Sequence, residues 1–188
     1  SLDERIDELR RTLEEMLDRI RRSNEEVLRD SRRVLEEIDE RARRVVEEAE
    51  KLLREIDKRK GKNEDAERLL REIKKRIEDL RRRIEKLKKE YEEEDDRLEK
   101  ELRDLHREID RLKRELETEA DRLKKENVSE EDIKRLLEKV REIIEELKRR
   151  NDELNKRIKD LSEEMRRRVK KLLDEIKEDL ERIKRRAD

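Results

Sequence analysis

From Leu2 to Ala187 the apolar residues of this chain recur every three or four positions, and the pattern repeats every 18 residues. Steps of three and four keep side chains on one face of an α-helix. The first stretch runs Leu2, Ile6, Leu9, Leu13, Met16, Ile20 and resumes through Val27, Val34, Ile38, Val45, Leu52 and Ile56. Leu2, Ile20, Ile38 and Ile56 are one 18-residue series, and Val140, Ile158 and Ile176 are another much later in the chain. Eighteen residues fill five turns at about 3.6 residues per turn, so the seam stays on one side without supercoiling. The chain has no proline and one glycine, so almost nothing interrupts these stretches.

Two short breaks divide the pattern. Gly61 is placed as the residue after a helix end, and Asn63 is placed to cap the next helix, with Glu64 and Asp65 in its first turn. Asn127, Val128 and Ser129 form the second break. Asn127 suits the left-handed position, Ser129 the cap, and Val128 can pack back on Ile133. The triplet also fits an N-glycosylation acceptor, but no secretory leader is recognisable and the capping reading is preferred. Ser1 and Glu4 make a capping box at the start. The expectation is three helices over about 2–60, 64–126 and 130–187, forming one domain over 1–188. Short loops force antiparallel neighbours. The fold class is therefore all-α: an antiparallel up-down-up three-helix bundle of long, nearly straight helices, each about 90 Å at 1.5 Å per residue.

Composition agrees with a bundle and removes other classes. Charged residues make up 63% and hydrophobic residues 29%, close to the two in seven that a helical seam needs. Lys and Arg total 59 against 60 Asp and Glu, interspersed, so no nucleic-acid partner is expected. No apolar run exceeds two residues, so neither a membrane span nor a signal-peptide core is expected, and the location expected is soluble and cytoplasmic in type. With no cysteine there is no disulfide or thiolate ligand, and no cofactor is expected.

The repeat exposes its own exceptions. Asn24 stands where Ile6 and Ala42 stand one unit away, and Ser31 where Leu13 and Ala49 do. Asn151 replaces Ile133 and Val169, Asn155 replaces Leu137 and Leu173, and Ser162 replaces Ile144 and Leu180. Tyr91 matches Ile73 and Ile109, His106 matches Leu70, and Asp95 matches Ile77. If the loops act as simple pivots, residue i of the first helix faces about 124−i in the second and about 132+i in the third. On that scale His106 and Asn151 share a height near 18–19, Asn24 and Asn155 share 23–24 with Ser23, and Ser31, Asp95 and Ser162 share 29–31, with Tyr91 close by. A buried unpaired polar group costs about 1–3 kcal/mol, so such a band is tolerable only if its members bond one another. The expected core polar network is Asn24, Ser31, Tyr91, His106, Asn151, Asn155 and Ser162. Replacing Asn151 alone with Leu is expected to strand its partner and destabilise the fold.

Ser31, His106 and Asp95 supply the residue types of a hydrolase triad. On the same scale His106 lies about 15 Å from Ser31, out of hydrogen-bond reach, so no enzyme is expected. Helical di-iron sites use Glu-x-x-His pairs; here Arg103 stands three before His106 and there is no second histidine, so no metal is expected. The basic runs Arg81-Arg82-Arg83 and Arg166-Arg167-Arg168 read as partners for Glu36, Glu37, Asp39 and Glu40. The first helix is richer in apolar doublets than the second, which makes Leu17, Leu28, Leu35, Val46 and Leu53 a possible face for a helical partner or for self-association.

In its Glu/Lys/Arg surface, Leu/Ile/Val seam, capped short loops, regular repeat and Asn/Ser/Tyr/His band, the whole chain resembles de novo designed helical bundles. The resemblance implies a monomeric structural scaffold with no natural biochemical activity, cofactor or partner, whose polar network specifies register and topology. The alternative is a protein–protein interaction module working through the wider apolar face of the first helix. BAR-like and spectrin-like modules are the natural counterparts, but the chain lacks their proline kinks, aromatics and basic surplus.

Overall fold

The computed structural model describes residues 2–60, 64–126 and 128–187. They form three helices packed against one another: α1 (Leu2–Lys60), α2 (Glu64–Lys125) and α3 (Glu130–Ala187). No strand occurs among the described residues. The expected roles of Ser1, Gly61, Asn63 and Asn127 fall outside those residues. The Ser129 cap is formed: its Oγ accepts the Asp132 N–H at 3.2 Å and its carbonyl accepts the Ile133 N–H at 3.2 Å. Val128 packs on the cluster that contains Ile133, completing the hydrophobic staple. Acidic side chains open all three helices, and basic ones close α2 and α3, each matching the helix dipole.

The chain forms two compact units, each built from a piece of every helix. One comprises Ser1–Arg29 with Asp96–Lys159, the other Asp30–Asp95 with Asp160–Asp188. In the first unit Asp7 pairs with Lys124 and Asp18 with Lys113, so α2 runs against α1. Arg5 pairs with Glu130 and Asn151 bonds Ser23, so α3 runs with α1. The second unit repeats this arrangement through Asp39–Lys88, Glu50–Arg81 and Glu37–Arg166.

Each unit has its own core. In the first, Leu17, Leu105, Ile109 and Ile158 are sealed from solvent. In the second, Val34, Ile38, Ile73, Leu80, Val169 and Ile183 are the corresponding side chains in one continuous cluster. Fully burying such a side chain contributes about 1.5–3 kcal/mol. That burial holds the helices, because isolated charged helices are marginal in water. Among the described residues no helix is long and apolar enough to cross a membrane.

The doublets of α1 turn inward. Leu17 is 0% exposed, and Leu35, Val46 and Leu53 are half-buried against the core cluster. Leu28 is half-buried as well. A helix that packs on two neighbours needs a wider apolar arc than one facing a single partner, and these residues supply it. Leu17 has no surface left to offer another chain.

Candidate functional site

The polar residues that interrupt the seams hydrogen-bond within each unit: one cluster in the second, and two separate groups, Asn24–His106 and Ser23–Asn151–Asn155, in the first. In the second unit Ser31, Asp95 and Ser162 are buried polar groups, and Tyr91 is buried beside them. The Ser31 hydroxyl donates to Asp95 Oδ1 at 2.5 Å. The Tyr91 hydroxyl donates to the Ser31 carbonyl at 2.9 Å and lies 3.0 Å from Ser31 Oγ and 3.3 Å from Ser162 Oγ. One phenol thus joins α1, α2 and α3. Its pKa is raised, first by burial and against the opposing hydrogen bonds from Ser162 and Ser31, so the phenol stays protonated and able to donate.

In the first unit Asn24 Nδ2 lies 2.7 Å from His106 Nε2. Asn151 Nδ2 donates to Ser23 Oγ at 2.9 Å and to the Ile20 carbonyl at 3.3 Å, and Asn155 Nδ2 donates to Ser23 Oγ at 3.4 Å. Ser23 itself donates to the Ile20 carbonyl at 2.8 Å. Three carbonyl ends are left over: Oδ1 of Asn24, of Asn151 and of Asn155 is buried without a hydrogen-bond partner. His106 is held below the ordinary histidine range by burial and then by Arg21, with Asp110 opposing.

All seven expected residues therefore have cross-helix bonds, but the pairings differ from those read off by height. Asn24 meets His106, and Asn151 meets Ser23, although simple pivots put each pair about five residues apart. One reason is the tilt of every Cα–Cβ bond toward its own helix N-terminus. In the antiparallel pair α1–α2 the two side chains lean toward each other, so Asn24 and His106 meet from offset heights; α3 runs parallel to α1, and there Asn151 meets Ser23 because α3 is displaced along α1 from the simple-pivot register. Two members were missing from the expected network. Asp95 carried a signal, since it stands in the place of Ile77, and its carboxylate is the acceptor on which Ser31 depends. Ser23 shares the height of Asn24 and Asn155, but its position is polar in neighbouring repeats, so the seam pattern left it out of the expected network although α3 reaches it in the fold.

The triad residue types do not assemble. The Ser31 hydroxyl donates its hydrogen bond to Asp95 and is 1% exposed, while His106 bonds Asn24. No group of three His, Asp or Glu side chains that could hold a metal occurs among the described residues. The basic runs are matched by carboxylates. Arg166 bonds Asp30 and Glu37, which raise its pKa; Arg168 pairs with Glu90, Arg81 with Glu50, and Arg82 and Arg83 with Asp79. Glu37 is one of the four expected acidic partners, whereas Asp39 takes Lys88 and Glu40 takes Arg44 on its own helix.

No protein-family model matches this sequence, and comparison with curated proteins and with solved structures finds no similar protein.

Proposed function

We propose that this chain is a structural scaffold of the designed helical-bundle kind, monomeric and without a substrate, in which the buried polar clusters select the register of the helices. The observation that carries this reading is the Tyr91 hydroxyl: its partners Ser31 and Ser162 lie on two other helices, inside an apolar shell that includes Val34, Ile38, Ile84 and Met165. An apolar seam with an 18-residue repeat fits almost as well when slipped by a turn, because one Leu or Ile replaces another. A polar cluster does not slip. Each group stranded in an apolar layer costs about 1–3 kcal/mol, and only wrong arrangements incur it.

The test removes the second unit's cluster while keeping its volume: Ser31→Ala, Tyr91→Phe, Asp95→Leu and Ser162→Ala in one protein. The variant is expected to stay helical but to lose its single set of sharp amide resonances and its cooperative unfolding. One dispersed spectrum with wild-type cooperativity would refute the selecting role. Sedimentation equilibrium is expected to return the monomer mass of 23.5 kDa; twice that mass at micromolar concentration supports the interaction-module alternative.

A further inference from the structure

His106 is the chain's one histidine, and its bond to Asn24 fixes where its proton sits. An amide nitrogen can only donate, so Nε2 is the acceptor and the ring proton is on Nδ1. The other end of the same amide, Asn24 Oδ1, is buried with no hydrogen-bond partner. Asn24 is 1% exposed, whereas His106 is half-buried and within reach of solvent protons. The amide thus gives its donor to the ring and keeps an idle acceptor beside it.

We propose that His106 and Asn24 form a proton-driven switch: when Nε2 takes up a proton, the Asn24 amide turns over about its Cβ–Cγ bond and presents Oδ1 to the new N–H. The proton comes from solvent, and an Nε2–H bond forms. The Nδ2–H···Nε2 contact is exchanged for Nε2–H···Oδ1, and no other covalent bond changes. The terminal torsion of an asparagine is broad and nearly two-fold, so the turnover asks little of the side chain. In the acid state Nδ2 is the group without a partner, and the α1–α2 contact of this unit is weaker.

Two charges act on the ring. Arg21 faces it from α1 and disfavours the imidazolium; Asp110 lies one turn further along α2 and favours it; α3 contributes none. Arg21 Nη1 and Asp110 Oδ1 are themselves bonded at 2.7 Å, so their opposing fields largely cancel. Burial then decides, and the switch stays in its neutral position down through the ordinary histidine range. This inference is independent of the scaffold reading.

With one histidine, two-bond ¹H–¹⁵N correlation spectra of the full chain give one unambiguous ring pattern. At about pH 8 the ring is expected as the Nδ1–H tautomer with a bare Nε2. On acidification the Asn24 side-chain amide protons are expected to move with the same midpoint as the ring, below 6.5. Asn24→Asp keeps an acceptor and removes the donor. It should convert the neutral ring to the Nε2–H tautomer and raise the midpoint by about one pH unit. An Nε2–H tautomer in the unaltered protein near neutrality overturns the proposal, as do Asn24 amide signals that stay fixed while the ring titrates. Both readings need only the unaltered chain, so they stand even if Asn24→Asp fails to fold.

Discussion

Ser31 on α1 donates a hydrogen bond from its hydroxyl to the Asp95 carboxylate on α2, oxygen to oxygen at 2.5 Å, with both residues buried. Hydrogen bonds to a charged group are the stronger kind, and a buried carboxylate that loses one donor has its desolvation less well compensated. Ser31→Ala is therefore expected to destabilise the protein by about 1.5–3 kcal/mol. In a double-mutant cycle with Asp95→Leu, urea unfolding should give a coupling energy of about 1 kcal/mol or more. Additive single effects would mean the two side chains are neighbours without a working bond.

Asn151 behaves oppositely, and the geometry reverses the expectation drawn from sequence. Its partner Ser23 already donates to the Ile20 carbonyl and reaches solvent, so removing Asn151 strands nothing. Its own Oδ1 is buried and unpaired. Asn151→Leu should thus leave stability unchanged or raise it by about 1 kcal/mol, as apolar area replaces an unsatisfied carbonyl. Chemical denaturation checks this, and a loss above about 1 kcal/mol would mean Asn151 is satisfied in solution.

Acid should weaken the fold in two separate windows. His106 has a lowered pKa in the folded state, so the unfolded chain binds its proton first. The stability it contributes is present above 6.5 and is lost as pH falls from there through the folded value. Asp7, Asp79 and Glu119 are held below the usual carboxylate range by hydrogen bonds from Lys124, Arg82 and Arg122, so their contributions fade only at more acid pH. Unfolding curves against pH should show both steps. His106→Gln, whose carbonyl can still accept from Asn24, should lose the upper step and keep the lower.

At alkaline pH the single tyrosine is the reporter. Burial raises the Tyr91 pKa, so the native phenol should ionise above 10.0, later than the unfolded one. Its contribution is present below 10.0 and lost as pH rises through the native value. Phenolate absorbance should rise late and together with loss of helix by circular dichroism. A native midpoint at the free-tyrosine value would place the ring in solvent.

The α1 doublets separate core from surface. Leu17→Ala removes a side chain with no exposed area and should cost about 2–5 kcal/mol in thermal or urea unfolding. Leu28→Gln, at a half-buried site, should cost clearly less. Equal costs would mean α1 is buried all round, as a helix covered by a partner would be.

Three helices, their seam and the Ser129 cap follow from the sequence because they are local. A period of 3.6 with no proline permits one backbone solution, and a serine before an acidic turn marks where it starts. The repeat also named Asn24, Ser31, Tyr91, Asn151 and Ser162 as the positions where polarity enters an apolar seam. Which of them meet is not a local property. It depends on how far side chains lean and on the register of each helix pair: the opposed lean of antiparallel α1 and α2 brings His106 to Asn24, and the displacement of α3 along α1 brings Asn151 to Ser23. The same holds for Leu17 and its fellow doublets. Their spacing places them at the edge of the stripe, but only packing against two neighbours at once decides that Leu17 is sealed while Leu28, Leu35, Val46 and Leu53 stay half-buried.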